Sequence, residues 1–377
     1  MREPFKQALT VHQYHFRASA GEAITQHMLL IQQALAEVGV SGKIFSSEIK
    51  NLPQGRVHKW SLDSAWDCDL LLIHHSQANP EVKSLSRLEI PKALIYHSQP
   101  PESFYVHDRD MFRNLIQGKK QLSFWKHQNV PAFAVSQFGV NELKKLGFPR
   151  AEILPLMHLE PQSAALEDAE PLEPKHLLFV GKLMPHKRQA QLIELFFYLK
   201  SEFPKGSQLH LVGTGDPLYT KYLKLLVKQL GLSSFVTLTG KLTEAELKNY
   251  YSFADAFICV SDHEGFCLPV VEAMQQQVPV FYRPHSGIQE TMAGAGVEFL
   301  SSRPVDHAAI IASVLKHPAA VRALLKKQNQ RLKEMARFQN KKKLQEMVLS
   351  ACQRFPIAKG SLNPKPKVKP HDAPFVH

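Results

Sequence analysis

Short apolar runs alternate with stretches of helical spacing along most of the chain, and this alternation is what most limits the fold. In the second half, an apolar run from His176 to Val180 ends at Gly181. Further runs follow at Gln208 to Val212, Phe235 to Leu238, Ala256 to Val260 and Pro279 to Tyr282. Between them lie amphipathic stretches at Ala190 to Ser201, Tyr219 to Leu230 and Thr243 to Phe253. Strands that are apolar throughout are buried on both faces, and a helix between successive strands makes the sheet parallel. The first half repeats the pattern, with strands expected at Leu9 to His15, Leu70 to His74, Ala93 to Tyr96 and Ala132 to Val135. Ala23 to Val38 sets Ile24, Met28, Ile31, Leu35 and Val38 on one helical face. At 377 residues the chain exceeds one ordinary core and suits two domains. Open parallel sheets bind ligands outside the carboxyl ends of their strands.

From Glu160 to Pro174 the alternation dissolves into Pro, Glu, Ala and Ser, which marks a linker. The expected organisation is a first α/β domain over residues 1–165, a second over 172–333, a closing helix over 334–355 and a basic Pro/Lys tail over 356–377. Met335, Leu344, Met347 and Leu349 hold the apolar positions of the closing helix, and the polar pair after Phe338 marks a break in it. The tail, with Asn363 to Pro370 at its centre, reads as a solvated, disordered segment.

Lysine and arginine exceed aspartate and glutamate by 46 − 34 = 12. Such an excess suits nucleic acid, an anionic membrane surface or a phosphorylated substrate. No basic motif interleaved with aromatics accompanies it, so no nucleic-acid partner is expected. Cys68, Cys259, Cys267 and Cys352 are scattered without a CxxC pair, which argues against a structural zinc or a disulfide framework. No apolar run is long enough for a spanning helix, and charge interrupts the N-terminal stretch too early for a signal-peptide core. The expectation is a cytoplasmic protein, with peripheral contact at the inner face of an anionic membrane permitted by its charge.

Three segments of the second half carry chemistry. Val180 to Lys187 follows a strand and precedes a helix. Gly181 allows a tight turn there, and the ammonium groups of Lys182 and Lys187 can converge on a diphosphate whose charge grows as it leaves. Alone, lysines on a loop are usually just solvated. Leu211 to Asp216 carries Gly213 and Gly215, where backbone can approach a ligand or a neighbouring turn. The decisive segment runs from Ala254 to Met274: a buried strand, a polar loop holding Glu264, Gly265 and Phe266, then a helix opening near Leu268 and Pro269. Glu264 is placed to meet a sugar hydroxyl, and Glu272, about one turn into the helix, to accept from the hydroxyls of a ribose. Two glutamates eight apart mean nothing by spacing alone; the whole arrangement does.

These residues resemble the family-4 glycosyltransferases, retaining enzymes of the GT-B fold. The stretch Ser261 to Met274 matches their S-x-x-E-G-F-x-x-P-x-x-E-A-M segment, which contains an E-x7-E pair. Gly181, Lys182 and Lys187 stand where the family carries G-R-x-x-x-x-K, and Val212 to Gly215 matches V-G-x-G. Ser286 to Glu290 is similar to G-G-x-x-E with serine at the first glycine. Lysine at 182 keeps the charge and loses the guanidinium fork. In the first half, Ala18 to Ile24, with Gly21, resembles a glycine loop near the donor phosphates. Tyr96 to Phe104 resembles a segment whose histidine, here His97, faces the donor sugar. His74 matches another family histidine, and Ala134 to Leu143 resembles S-x-F-x-x-x-E-L.

The resemblance implies an α/β, GT-B fold with two Rossmann-like domains facing across a cleft. It implies transfer of a hexosyl group with retention from a UDP- or GDP-sugar to a glycan or lipid-linked acceptor, in cell-surface polysaccharide biosynthesis. The implied catalytic residues are Lys182, Lys187, Glu264 and His97. The implied donor-binding residues are Gly21, Gly181, Gly213, Gly215, Gly265, Phe266, Leu268 and Glu272. No carboxylate stands out as a covalent nucleophile, which leaves front-face displacement, with the departing phosphate oxygen taking the acceptor's proton. No cofactor beyond the nucleotide-sugar substrate is expected and no metal. The D-x-D pattern at Asp67 to Asp69 precedes, rather than follows, its apolar strand, and that at Asp108 to Asp110 lies in a polar, helical stretch, so both read as surface carboxylates. The alternatives are a GT-B phosphorylase or epimerase and a non-catalytic nucleotide-sugar-binding protein of the same fold.

Overall fold

The computed structural model describes residues 9–62, 67–154, 175–203, 206–338 and 341–353. Two compact units divide the chain: Met1–His158 with Gln339–His377, and Leu159–Phe338. The expected linker at 160–174 and the tail at 356–377 lie outside the described residues.

The first unit holds a seven-stranded parallel sheet. Its order is His58–Lys59, Ile44–Ser46, Val11–Tyr14, Leu70–His75, Lys92–Tyr96, Ala132–Ala134 and Glu152–Ile153. The order reverses between Val11–Tyr14 and Leu70–His75, the switch point where a doubly wound sheet opens a crevice. Alternation explains why the strands read as continuous apolar runs. Leu71, Ile73, Leu94 and Tyr96 point to one face, against Leu122 and Trp125 of the helix Arg109–His127. Leu70, Leu72 and Ile95 point to the other, against Ile31 and Leu35 of the helix Ala23–Ala36. That second face is completed by Leu344, Met347, Val348 and Ala351 from the last helix, Lys341–Gln353. A small separate sheet pairs Arg17–Ser19 with Glu48–Lys50.

The second unit holds six parallel strands in the order Val236–Gly240, Ser207–Val212, Lys175–Val180, Ala256–Cys259, Val280–Tyr282 and Val297–Glu298. The switch point lies between Lys175–Val180 and Ala256–Cys259, so the loops after these two strands meet. Helices Gln189–Leu199 and Pro304–Leu315 cover one face through Leu192, Phe196, Ile311 and Leu315. Helix Leu268–Gln275 covers the other through Val270, Val271 and Met274. Thr243 and Glu246 form a capping box that starts the helix Glu244–Phe253, one residue from where the spacing predicts it.

The division at the C-terminal end differs from the expected one. The helix Pro318–Phe338 belongs wholly to the second unit, so the boundary falls after Phe338 rather than after residue 333. Leu332 and Met335, three apart on one helical face, pack into the core around Met274 and Val278. Met335 therefore serves the second unit, not the closing helix. Among the described residues no single helix is long and apolar enough to cross a membrane.

Candidate active site

In the second unit, Gly181 ends the first strand and the chain turns through Pro185–Lys187 into the helix Gln189–Leu199. The backbone of this loop lies directly on the glycines at 213 and 215. Leu183 N–H donates to Thr214 O at 3.1 Å, and Asp216 N–H donates to Leu183 O at 3.0 Å. A Cβ at Gly213 would stand 2.1 Å from Gly181 O, and one at Gly215 2.0 Å from Leu183 O. No side chain fits at either place. The geometry thus accounts for both glycines through the approach of the lysine loop, the second of the two reasons a glycine pair has here.

The loop after Ala256–Cys259 carries Glu264 to the same end of the sheet. Lys187 Nζ is 2.6 Å from Glu264 Oε2 and donates to His263 O at 3.4 Å. Burial alone would lower the Lys187 pKa, but Glu264, with Cys267 and Cys259 behind it, outweighs burial and raises it. Glu264 is held at both backbone atoms: its N–H donates to Ser286 Oγ at 2.7 Å, and its carbonyl accepts from Gly287 N–H at 2.9 Å. Under the carboxylate lie two thiols. Cys259 Sγ is 3.8 Å from Glu264 Oε1 and 3.9 Å from Cys267 Sγ, and the contact with Cys259 together with burial pushes the Cys267 thiol well up. Lys182 is exposed, whereas Lys187 is half-buried against Glu264, so the two lysines differ in their surroundings.

Glu272 lies one turn into the helix that opens at Leu268, with Pro269 in its first turn. Burial raises its pKa, opposed by Tyr251, whose hydroxyl donates to Glu272 Oε2 at 2.8 Å. Gly265 and Phe266 are pinned by the helix Gly287–Met292: a Cβ on Gly287 would stand 2.0 Å from Gly265 O, and Thr291 Oγ1 donates to Phe266 O. Asp262 accepts from Arg283 at 2.8 Å and from Arg188 Nε, tying together the loops after the first, fourth and fifth strands of the unit in chain order. The sequence reading did not single out Asp262, Arg188, Arg283 or Tyr251. The first two stand inside or beside the quoted motifs, but nothing in spacing pairs them.

In the first unit Gly21 adopts φ 75°, forming the turn into the helix Ala23–Ala36. His74 and His97 are brought together, with His74 Nδ1 3.0 Å from His97 Nε2. His27, which the sequence reading passed over, joins them. One carboxylate of each D-x-D pattern serves the backbone: Asp69 Oδ2 accepts from Thr10 N–H at 2.7 Å, and Asp108 caps the helix Arg109–His127 through Met111 N–H at 3.0 Å. Ser136, in the segment resembling S-x-F-x-x-x-E-L, caps the helix Gln137–Lys145, and Glu142 accepts from Ser98 Oγ.

Residues 166–339 match the family described as glycosyl transferases group 1. The amylovoran biosynthesis glycosyltransferase AmsK of Erwinia amylovora is 27% identical over 234 residues, 59% of this chain and 54% of that protein. The GDP-mannose:cellobiosyl-diphosphopolyprenol alpha-mannosyltransferase of Komagataeibacter xylinus is 30% identical over 98 residues, 26% of this chain and 25% of that protein. The chain thus spans about half the length of the first of these relatives and less of the second. Among solved structures, that of WaaG, a glycosyltransferase involved in lipopolysaccharide biosynthesis, superposes with a TM-score of 0.68 at 12% identity, covering 92% of this chain and 99% of that one. At that identity the likeness shows the fold, which is GT-B.

Proposed function

We propose that this GT-B chain, whose residues 166–339 match group-1 glycosyl transferases, moves a hexosyl group from a UDP- or GDP-sugar to a glycan or lipid-linked acceptor with retention of anomeric configuration. The observation that carries the reading is the Lys187–Glu264 pair at the switch point of the second unit. A cation is held beside a carboxylate at the carboxyl ends of the strands, where such sheets bind nucleotides.

In this reading Lys182 and Lys187 meet the charge that grows on the departing diphosphate, and Glu264 orients the donor sugar. Glu272 accepts from the ribose hydroxyls. The acceptor oxygen bonds to the anomeric carbon on the face the diphosphate leaves, and the acceptor's proton passes to the departing phosphate oxygen. Interactions stronger in that transition state than with bound donor supply the rate. His97 and Gly21 of the first unit are proposed to serve the donor sugar and its phosphates. Several relatives are named as mannosyltransferases, one of them with GDP-mannose as donor, which makes GDP-mannose the first donor to test.

Nucleoside diphosphate release from a panel of UDP- and GDP-hexoses, with simple glycosides as acceptors, tests the activity. NMR of the product's anomeric proton tests retention. Release that requires an acceptor and gives the donor's own anomer is expected; no release from any donor, or the opposite anomer, overturns the reading. Lysines take the place of a cation on the diphosphate, so turnover is expected to survive EDTA. Loss restored by magnesium would refute that part.

A further inference from the structure

Three imidazoles meet in the first unit near the carboxyl ends of its central strands. One ring nitrogen from each of His27, His74 and His97 lies within 4.8 Å of the other two. His27 comes from the first turns of the helix Ala23–Ala36, His74 from the strand Leu70–His75, and His97 from the loop after Lys92–Tyr96. His27 is 2% exposed, and neither of its ring nitrogens has a hydrogen-bond partner. A buried donor or acceptor left unmet costs about 1–3 kcal/mol, so the two His27 nitrogens require an explanation, of which a bound ion is one.

The second histidine is oriented as a metal ligand is. Gln13 Nε2 donates to Met28 O at 2.8 Å, so its amide oxygen is the atom 3.0 Å from His74 Nε2. His74 therefore carries its proton on Nε2 and turns the Nδ1 lone pair toward the cluster. An outer residue fixing the tautomer in this way is typical of imidazoles that bind metal. The His27 ring stands edge-on to both partners, at 81° to His97 and 85° to His74, while His74 and His97 lie within 23° of parallel. Burial keeps all three rings neutral. With Nδ1 of His74 unprotonated, the 3.0 Å contact with His97 Nε2 is an N–H···N hydrogen bond, and a metal bound here takes its place once the His97 proton moves to Nδ1.

We propose that His27, His74 and His97 form a site for a divalent transition metal of the zinc type. Nitrogens about 2.0–2.1 Å from a tetrahedral zinc stand roughly 3.3 Å apart. The 3.0 Å pair of His74 and His97 opens slightly to reach that spacing, and the His27 ring closes in. Imidazole alone favours zinc, copper or nickel over magnesium and calcium, which want oxygen. His97 is only half-buried, so water completes the coordination on its side. Metal on His97 competes with the sugar-facing role proposed above, so the metal-bound and donor-bound forms exclude each other, and removing the metal leaves turnover intact.

The test reads metal, not turnover, and so stands apart from the proposed activity. The full chain, free of affinity-tag histidines and stripped with a chelator, is titrated with Co2+. Uptake of one ion with the visible absorption of tetrahedral cobalt, displaced by Zn2+, is expected. His74→Ala and His27→Phe should lose that spectrum, Gln13→Ala should weaken binding by about tenfold or more, and His317→Ala, on an exposed helix end, should keep it. His27→Phe retains a buried ring without unmet nitrogens, so its metal-free Tm should equal or exceed that of the wild type, while the rise in Tm caused by Zn2+ disappears. No stoichiometric uptake by the wild type, or an unchanged cobalt spectrum in His27→Phe, overturns the proposal.

Discussion

Lys187 and Glu264 face each other at 2.6 Å with side chains only 17% and 11% exposed, an ion pair drawn from the loops after two different strands. Attraction between buried charges roughly repays their desolvation, whereas removing one partner leaves the other uncompensated at a cost of about 3–5 kcal/mol. The pair thus fixes the shape of the loops as well as supplying charge.

Lys187→Ala and Glu264→Ala are each expected to lower turnover by about 10²-fold or more, because each group acts on charge or orientation in the transition state. Each should also lower the denaturation midpoint, and the double variant should lose less stability than the two single losses added. Turnover at saturating donor and urea unfolding of the four proteins check this. Wild-type turnover in either single variant would remove that residue from the mechanism. Because the folded pKa of Lys187 is raised, its stabilising contribution is complete below the unfolded value near 10.5 and is lost only as pH climbs through the higher folded one.

Two other buried histidines set an acid limit on the second unit. Burial and the neighbouring His176 hold His210 down to about 4; burial, then Lys187 and His263, hold His186 down to about 2. Both folded values lie below the unfolded one, so the unfolded chain takes up protons first. Stability is intact above about pH 6.5 and falls as pH drops from there toward 4, by at most about 1.4 kcal/mol per pH unit for each histidine. His210→Phe keeps a ring against Tyr250 and Phe253 and removes one of these protonation sites. Urea midpoints at pH 7.5 and pH 5 should differ less in this variant than in the wild type. An equal or larger drop would show that His210 does not titrate this way.

Much of this architecture is legible in the chain because strands buried on both faces leave an unbroken apolar signature. Leu177, Leu178 and Phe179 pack alternately into two cores, and no other element produces that run next to a glycine turn. The loop motifs are legible for a related reason: Glu264 and Glu272 stand on one loop and the helix it feeds, so their spacing in sequence is their spacing in space. What spacing does not carry is the partner across the fold. Lys187 and Glu264 are 77 positions apart, Asp262 and Arg283 are joined only by the sheet, and His27 meets His74 and His97 only because three elements end together. The break after Phe338 is legible in the polar pair that follows it; that Met335 joins the second unit's core is not, because helical spacing does not say which core a face meets.

Ser286 sits where the resembling motif has glycine, at φ 54° and ψ −143°, a region that a side chain enters at a cost of about 1–3 kcal/mol. Its hydroxyl offsets that cost by accepting from Glu264 N–H at 2.7 Å and donating to His285 O at 2.7 Å. Ser286→Ala keeps the strain and forfeits both bonds, so it should lower Tm and turnover together. Ser286→Gly relieves the strain as it forfeits the bonds, and its Tm should stay within a few degrees of the wild type. Thermal unfolding ranks the three proteins, and alanine more stable than glycine at this position would refute the account.

The last helix, Lys341–Gln353, contributes Leu344, Met347, Val348 and Ala351 to the core that also holds Val11, Leu70, Leu72 and Ile95. Cys352 Sγ additionally lies 3.7 Å from Asp69 O. Burying an aliphatic side chain of this size contributes about 1.5–3 kcal/mol, so the three large ones together rival the whole stability of a typical domain. Ending the chain after Phe338 should therefore unfold the first unit or leave it melting far below the second, whose own core stays complete without these residues. Ending it after Gln353 removes none of these contacts and should leave the first unit's stability unchanged. Calorimetry of the two truncated proteins, together with limited proteolysis to report which unit opens first, measures the difference. A first unit that melts at the wild-type temperature without residues 339–377 would mean that the helix covers its face without stabilising it.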